Sequence, residues 1–293
     1  MAIALEGGAV VAGRARRHRF WQRVGHVLTY LGLFAALVFF LGPFVWIVTT
    51  SLKGNEDFFA FPPVWIPSDP SLKHYVALFT RSSGARYFMN SLVLSTMSMI
   101  AALVVSLPTA YSIARWRFGG GLLSLFLLVL RMLPAIALII PIYIVYKMLG
   151  ITNNYLALVV IYTVLYIPFA VWLLVGFLRD FPVEIEEAAM IDGCTRAGAF
   201  MRVVFPLCAP GLVATAIFAF IQSWNDYIVA YVLLRSPDHQ TLTVWLASFT
   251  TNRGTDWGPL MAGATLTSVP VVTFFLLVQR YVTSGLTAGA VKG

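Results

Sequence analysis

The sequence predicts an all-α, polytopic membrane protein with six transmembrane helices and a helix-turn-helix loop between the fourth and fifth. Three observations predict it. Of 293 residues, 59% are apolar and only 11% charged, against about a quarter charged in a soluble domain, so a globular surface could not be wetted. The apolar residues fall into six runs, and each crossing of about 30 Å of hydrocarbon needs roughly 20 of them. Five of the twelve acids, Asp180, Glu184, Glu186, Glu187 and Asp192, crowd into thirteen positions of one loop.

The net charge of +8 is spread between apolar runs with no Lys/Arg stripe, so no nucleic acid is implied. Cys194 and Cys208 are the only cysteines. They form no CxxC or Cys/His cluster, which argues against a disulfide framework or metal site.

The first run, about 24–50, follows Arg14, Arg16, Arg17, Arg19 and Arg23. It exceeds the roughly 7–15 residues of a signal-peptide core and lacks a small-x-small ending, so an uncleaved anchor is expected after a basic segment 1–23. The other spans are expected at about 89–114, 122–146, 154–178, 210–234 and 260–280. If the N-terminus is inside, twelve basic residues lie on inner segments and seven, Lys53, Lys73, Arg81, Arg86, Lys147, Arg235 and Arg253, on outer ones. That asymmetry puts both termini in the cytoplasm. Two long outer loops follow, about 53–88 and 235–259, and one sizeable inner loop, about 179–209. No repeat or linker divides the chain, so 24–293 reads as a single membrane domain. Pro108, Pro134, Pro141, Pro168, Pro210 and Pro270 lie in or at the start of spans; they are either packing kinks or the bends of a bundle lining a pathway.

In the inner loop, Pro182 suits a first helical turn and Glu184, Glu186 and Glu187 face the positive end of the dipole. A helix from Pro182 to about Ile191 follows, stopped by Gly193. A second helix runs from about Arg196 to Val204, before Pro206 and Pro210. An amphipathic hairpin on lipid headgroups would have the same pattern, but an anionic inner leaflet repels an acidic helix. A protein partner suits it better.

Glu187-Ala188-Ala189, then Asp192-Gly193, then Pro206 thirteen residues on, resembles the EAA cytoplasmic loop of ABC-importer permeases. The resemblance extends over nearly the whole chain after residue 25 and is closest to the smaller-type permease of maltose- and trehalose-like carbohydrate importers. Its landmarks are Ser51-Leu52-Lys53, Phe61-Pro62-Pro63, Asn90-Ser91, Arg131-Met132-Leu133-Pro134, Trp224-Asn225-Asp226, Thr255-Asp256-Trp257-Gly258 and the tail Gly285 to Gly293. Cys194 stands where the family usually has alanine.

The resemblance implies a bacterial or archaeal inner-membrane transport subunit, working with a second permease, an ATPase dimer, an extracytoplasmic solute-binding protein and a sugar substrate. The loop would dock on the ATPase through Glu186, Glu187, Ala188, Ala189, Asp192 and Gly193, and the tail after Tyr281 would touch it too. No G-x-x-x-x-G-K-[ST] loop occurs in the sequence, so ATP and Mg are expected in the partner and no cofactor in this chain. The outer loop would meet the binding protein through Thr241, Trp245, Asn252, Asp256 and Trp257, with no role for His239.

Polar residues inside a membrane are costly and therefore functional candidates. Arg131 lies about 13 Å into the third span and either satisfies carbonyls freed by proline or lines the path. Asn225, Asp226 and Tyr227 lie nearer the outer face, so an Arg131–Asp226 ion pair is disfavoured by depth. Asn225 and Asp226 suit sugar hydroxyls or helix locking. Tyr143, Tyr146, Tyr162, Tyr166 and Tyr227 suit sugar platforms or packing. A transporter or channel working alone would need several buried acids or histidines, and no acid falls in spans one to four or six. Which sugar is carried, or whether glycerol phosphate is, stays open.

Overall fold

The computed structural model describes residues 3–80, 83–116 and 119–290. Its contacts group the chain into two units, 1–72 and 73–293.

In the first unit, α1 (Ile3–Ser51) is one helix of 49 residues, of which Gln22–Ser51 is long and apolar enough to cross a membrane. The chain then folds back on the end of α1. Trp65 packs edge-on against Trp46 with centroids 4.8 Å apart, Lys53 Nζ lies 3.7 Å from the Trp46 ring centroid, and Ser71 N donates to Leu52 O at 3.0 Å. The lysine thus sets its ammonium on an aromatic face at the end of the span, a cation–π arrangement.

The second unit is built on α3 (Gly84–Trp116) and α6 (Tyr155–Arg179), which pack along each other. Small buried residues of α3, Ser91, Ser95, Ser98, Ala102 and Ser106, recur at helical spacing. They let helices approach closely where lipid offers no hydrophobic drive to pack. α10 (Ala209–Trp224) also lies against α3, and α13 (Trp257–Ala290) against α10. Trp224 Nε1 ties these two by donating to Thr267 O at 3.0 Å. α2 (Lys73–Thr80) packs on α13.

The described helices include four long continuous candidates for spans, Gln22–Ser51, Gly84–Trp116, Tyr155–Arg179 and Trp257–Gln279, and two bent pairs that bring the number to six if each pair is one span. The third span, expected at about 122–146, is sharply bent. α4 (Gly120–Met132) and α5 (Ala135–Met148) meet at 91°. Pro134 lacks an N–H and disfavours helical geometry in Leu133, which is extended at ψ 124°. The fifth span is corrected: α10 stops at Trp224, and a short α11 (Ile228–Leu233) follows after Asn225, Asp226 and Tyr227.

Candidate functional site

Between α6 and α10 the chain forms a hairpin. α7 (Glu184–Ile191) carries Glu184, Glu186 and Glu187 in its first turn, where the helix dipole favours them. It ends in a Schellman arrangement: Gly193 N donates to Met190 O at 3.1 Å and Cys194 N to Ala189 O at 3.0 Å. Gly193 has φ +92°, a region that residues bearing a Cβ avoid. Thr195 then caps α8 (Arg196–Ala199), its Oγ1 accepting from Gly198 N at 3.1 Å. A π-helical turn (Phe200–Val204) and the short α9 (Phe205–Leu207) lead to α10 across a 72° bend at Cys208.

Glu186 points into the chain. Its side chain is buried, Oε2 accepts from Arg115 Nε at 3.2 Å, and Oε1 accepts from the Tyr111 hydroxyl. Arg115 Nη1 also donates to Phe181 O at 3.2 Å. Phe200 packs edge-on against Tyr111 at 4.7 Å, and Val204 and Cys208 join a buried cluster with Leu107, Val171, Leu174 and Leu178. The expectation that Glu186 faces a partner is corrected: helical rotation of about 100° per residue turns it inward while Glu187, Ala188 and Asp192 stay exposed and Ala189 is half-buried. Beside them Ile191 is 86% exposed.

Near the break in the fifth span an open cavity of about 680 Å³ is lined by Arg131, Tyr166, Phe218, Gln222, Asn225, Asp226 and Tyr227, among others. The Arg131 guanidinium lies 4.1 Å from the Phe169 centroid and 5.2 Å from that of Phe218, a cation–π arrangement. The 91° bend brings Arg131 to the same cavity as Asp226, which depth along a straight helix did not anticipate. Among the described residues no ion pair joins them. Asp226 Oδ2 instead accepts from the Tyr162 hydroxyl at 2.7 Å and from Ala230 N at 3.1 Å, and its carbonyl accepts from Thr243 Oγ1 at 2.6 Å. Asp226 therefore locks helices, whereas the Asn225 side chain is exposed to the cavity. Tyr162 and Tyr166 stack at 5.7 Å, and Tyr227 and Tyr231 at 5.3 Å. Tyr143 lies under Arg235 at 4.9 Å and Tyr146 donates to Ala157 O.

At the end of α3 remote from the hairpin, Arg86 pairs with Asp238, and Asn90 Nδ2 donates to Asp238 O and Gln240 O at 3.0 and 2.9 Å. Ser91 Oγ accepts from Leu242 N at 2.8 Å, the first residue of α12 (Leu242–Ala247). Of the residues expected to meet a binding protein, Thr241 and Trp245 are buried, and Trp245 stacks on Tyr87 at 5.0 Å. For these two the expected surface role is corrected. Asn252, Asp256 and Trp257 are exposed, with Asn252 in the turn between β1 (Thr250–Thr251) and β2 (Gly254–Thr255).

Residues 102–287 match the family model described as the binding-protein-dependent transport system inner membrane component. The chain belongs to this family. It is an ABC-importer permease, a transport subunit and not an enzyme. The permease is 38% identical over 277 residues to the diacetylchitobiose uptake system permease protein DasC of Streptomyces coelicolor, covering 94% of this chain and 98% of that one. It is 33% identical over 273 residues to the trehalose/maltose transport system permease protein MalG of Thermococcus litoralis, covering 91% and 97%. In fold it is similar to a chain of a bacterial ABC transporter involved in the import of the acidic polysaccharide alginate, with TM-score 0.74, 22% identity, and coverage of 90% and 96%.

Several residues of this permease escaped sequence reasoning. Arg115 and Tyr111 carried no local signal, because their partner lies 71 and 75 residues away. Gln222 does have a signal, as a lone amide in an apolar run one turn before Asp226. Phe169 and Phe218 look like ordinary span residues until the bend sets Arg131 on them.

Proposed function

We propose that this permease is one half of the translocation path of a carbohydrate importer, taking a di- or oligosaccharide, paired with a second, different permease. An ATPase dimer would grip the exposed face of the α7–α8 hairpin in the cytoplasm, where both termini also lie. ATP and Mg belong to that dimer. An extracytoplasmic binding protein would deliver sugar at the opposite end, near Asn252, Asp256 and Trp257.

The observation that carries the coupling reading is the division of labour on α7: Glu186 is fixed inside the chain while Glu187, Ala188, Ile191 and Asp192 face outward. A short helix so rigidly rooted moves as a body with the spans behind it, because packed interfaces switch between arrangements and do not deform gradually. Ala188 and Ala189 permit close approach, Ile191 supplies an apolar knob, and Glu187 and Asp192 polar anchoring.

Support for a carbohydrate comes from relatives named for diacetylchitobiose and trehalose/maltose uptake and from the cavity chemistry. Gln222 and Asn225 offer amide donors and acceptors to hydroxyls, Tyr166 and Tyr227 offer ring faces, and Arg131 adds a cationic wall. The test is ATP hydrolysis by the reconstituted four-subunit complex with loaded binding protein across a panel of disaccharides, oligosaccharides and glycerol phosphate. A several-fold stimulation by one sugar is expected; stimulation by glycerol phosphate alone would overturn the carbohydrate assignment.

A further inference from the structure

The root of the hairpin is a polar joint buried in an apolar setting. Arg115 and Glu186 have side chains only 7% and 8% exposed. Arg115 is in the last turn of α3 and Glu186 in the first turn of α7. The guanidinium uses two separate nitrogens, Nε toward the carboxylate and Nη1 toward Phe181 O, so it clamps both the helix and the strand of chain that enters it. The Tyr111 hydroxyl, one turn earlier on α3, holds the other carboxylate oxygen. Two residues of α3 thereby grip one residue of α7 from fixed directions.

A buried ion pair is a poor source of stability, because desolvation offsets most of the attraction. It is a good source of geometric definition, since a planar guanidinium fork accepts few orientations. Apolar packing alone would let α7 slide or roll on the end of α3. A directional joint does not.

We infer that Arg115 is a positioning residue for coupling: it converts displacement of α7 into displacement of α3, and so links nucleotide-driven movement to the solute path without touching ATP, ATPase or sugar. This rests on the reading of the hairpin as the ATPase-coupling element. α3 runs from this joint to Arg86, Asn90 and Ser91, which hold the loop and helix at its opposite end, so one continuous helix of 33 residues joins the hairpin to that loop.

The test uses the assembled complex with Arg115→Met, Arg115→Lys, Glu186→Gln and Tyr111→Phe. Three quantities are read: recovery of the ATPase with the permease, basal ATP hydrolysis, and sugar molecules taken up per ATP hydrolysed. Arg115→Met is expected to keep the ATPase bound and basal hydrolysis within about twofold, while uptake per ATP falls about tenfold. Glu186→Gln shifts in the same direction. Arg115→Lys retains the charge but not the fork and recovers part of the loss. Tyr111→Phe removes one oxygen without leaving a charge unpaired, so it keeps the proposal testable if Arg115→Met fails to fold; an intermediate fall of about threefold is expected. Unchanged uptake per ATP in Tyr111→Phe and either Arg115 variant would overturn the proposal. So would loss of the ATPase from both Arg115 variants, which would make the joint part of docking. A wild-type permease that never recovers an ATPase would overturn the coupling reading itself, a result separate from any behaviour of the variants.

Discussion

Tyr162, wholly buried in the first half of α6, donates a 2.7 Å hydrogen bond to Asp226 at the break after α10. The same carboxylate oxygen accepts from Ala230 N at the start of α11. One acid, placed just after α10, thus stabilises the first turn of α11 and its attachment to α6.

Asp226→Ala and Tyr162→Phe are therefore expected to lower the stability of the purified permease, by roughly 1.5–3 kcal/mol for a hydrogen bond to a charged group. Asn225→Ala, next door but facing the cavity, should leave stability unchanged and reduce uptake. Thermal unfolding in detergent alongside sugar uptake separates the two effects.

Gly193→Pro and Glu187→Lys are expected to abolish uptake while the chain still inserts. Proline requires φ near −65° and has no N–H, so it loses both the +92° conformation of Gly193 and its bond to Met190 O. Glu187→Lys leaves the fold intact and reverses a charge on the exposed face. Normal uptake by both variants, measured at matched membrane abundance, would count against the hairpin as the coupling element.

Trp245→Ala should destabilise the permease by about 3–5 kcal/mol, the usual cost of emptying a large aromatic site, because it removes the stack on Tyr87 and the edge contact with Phe249. Trp257→Ala, at a side chain 38% exposed, should instead leave the melting temperature within a degree or two and weaken stimulation by the binding protein. Titrating binding protein into the ATPase assay of both variants checks this.

Gly211→Leu is expected to disrupt the packing of α10 on the end of α6. A Cβ at position 211 would sit 2.6 Å from Phe177 Cγ, so a bulky side chain must displace α10 from the end of α6, at a cost of about 1–3 kcal/mol for overpacking. Reduced thermal stability with lower uptake is the expected result.

The spans were legible because hydrocarbon demands long apolar runs, and the hairpin because its punctuation is local: proline and acids in a first turn, glycine at a stop. The breaks were not. Pro108, Pro168 and Pro270 lie within continuous helices, whereas Pro134 ends one at 91°, and the difference depends on neighbouring helices that no local window contains. The facing of adjacent acids was hidden for the same reason. Glu186 and Glu187 are alike in composition, and only an arginine 71 positions upstream decides which one turns inward. Thr241 and Trp245 likewise looked like loop residues, until α12 folds them against α3.

The most direct measurement places a thiol photo-crosslinker on Glu187→Cys, with Cys194→Ala and Cys208→Ala in the same chain, in the fully assembled complex. The predicted result is an adduct with the ATPase subunit. An adduct with the solute-binding protein, or with lipid alone, would contradict the assignment of this hairpin as the element that couples ATP hydrolysis to transport.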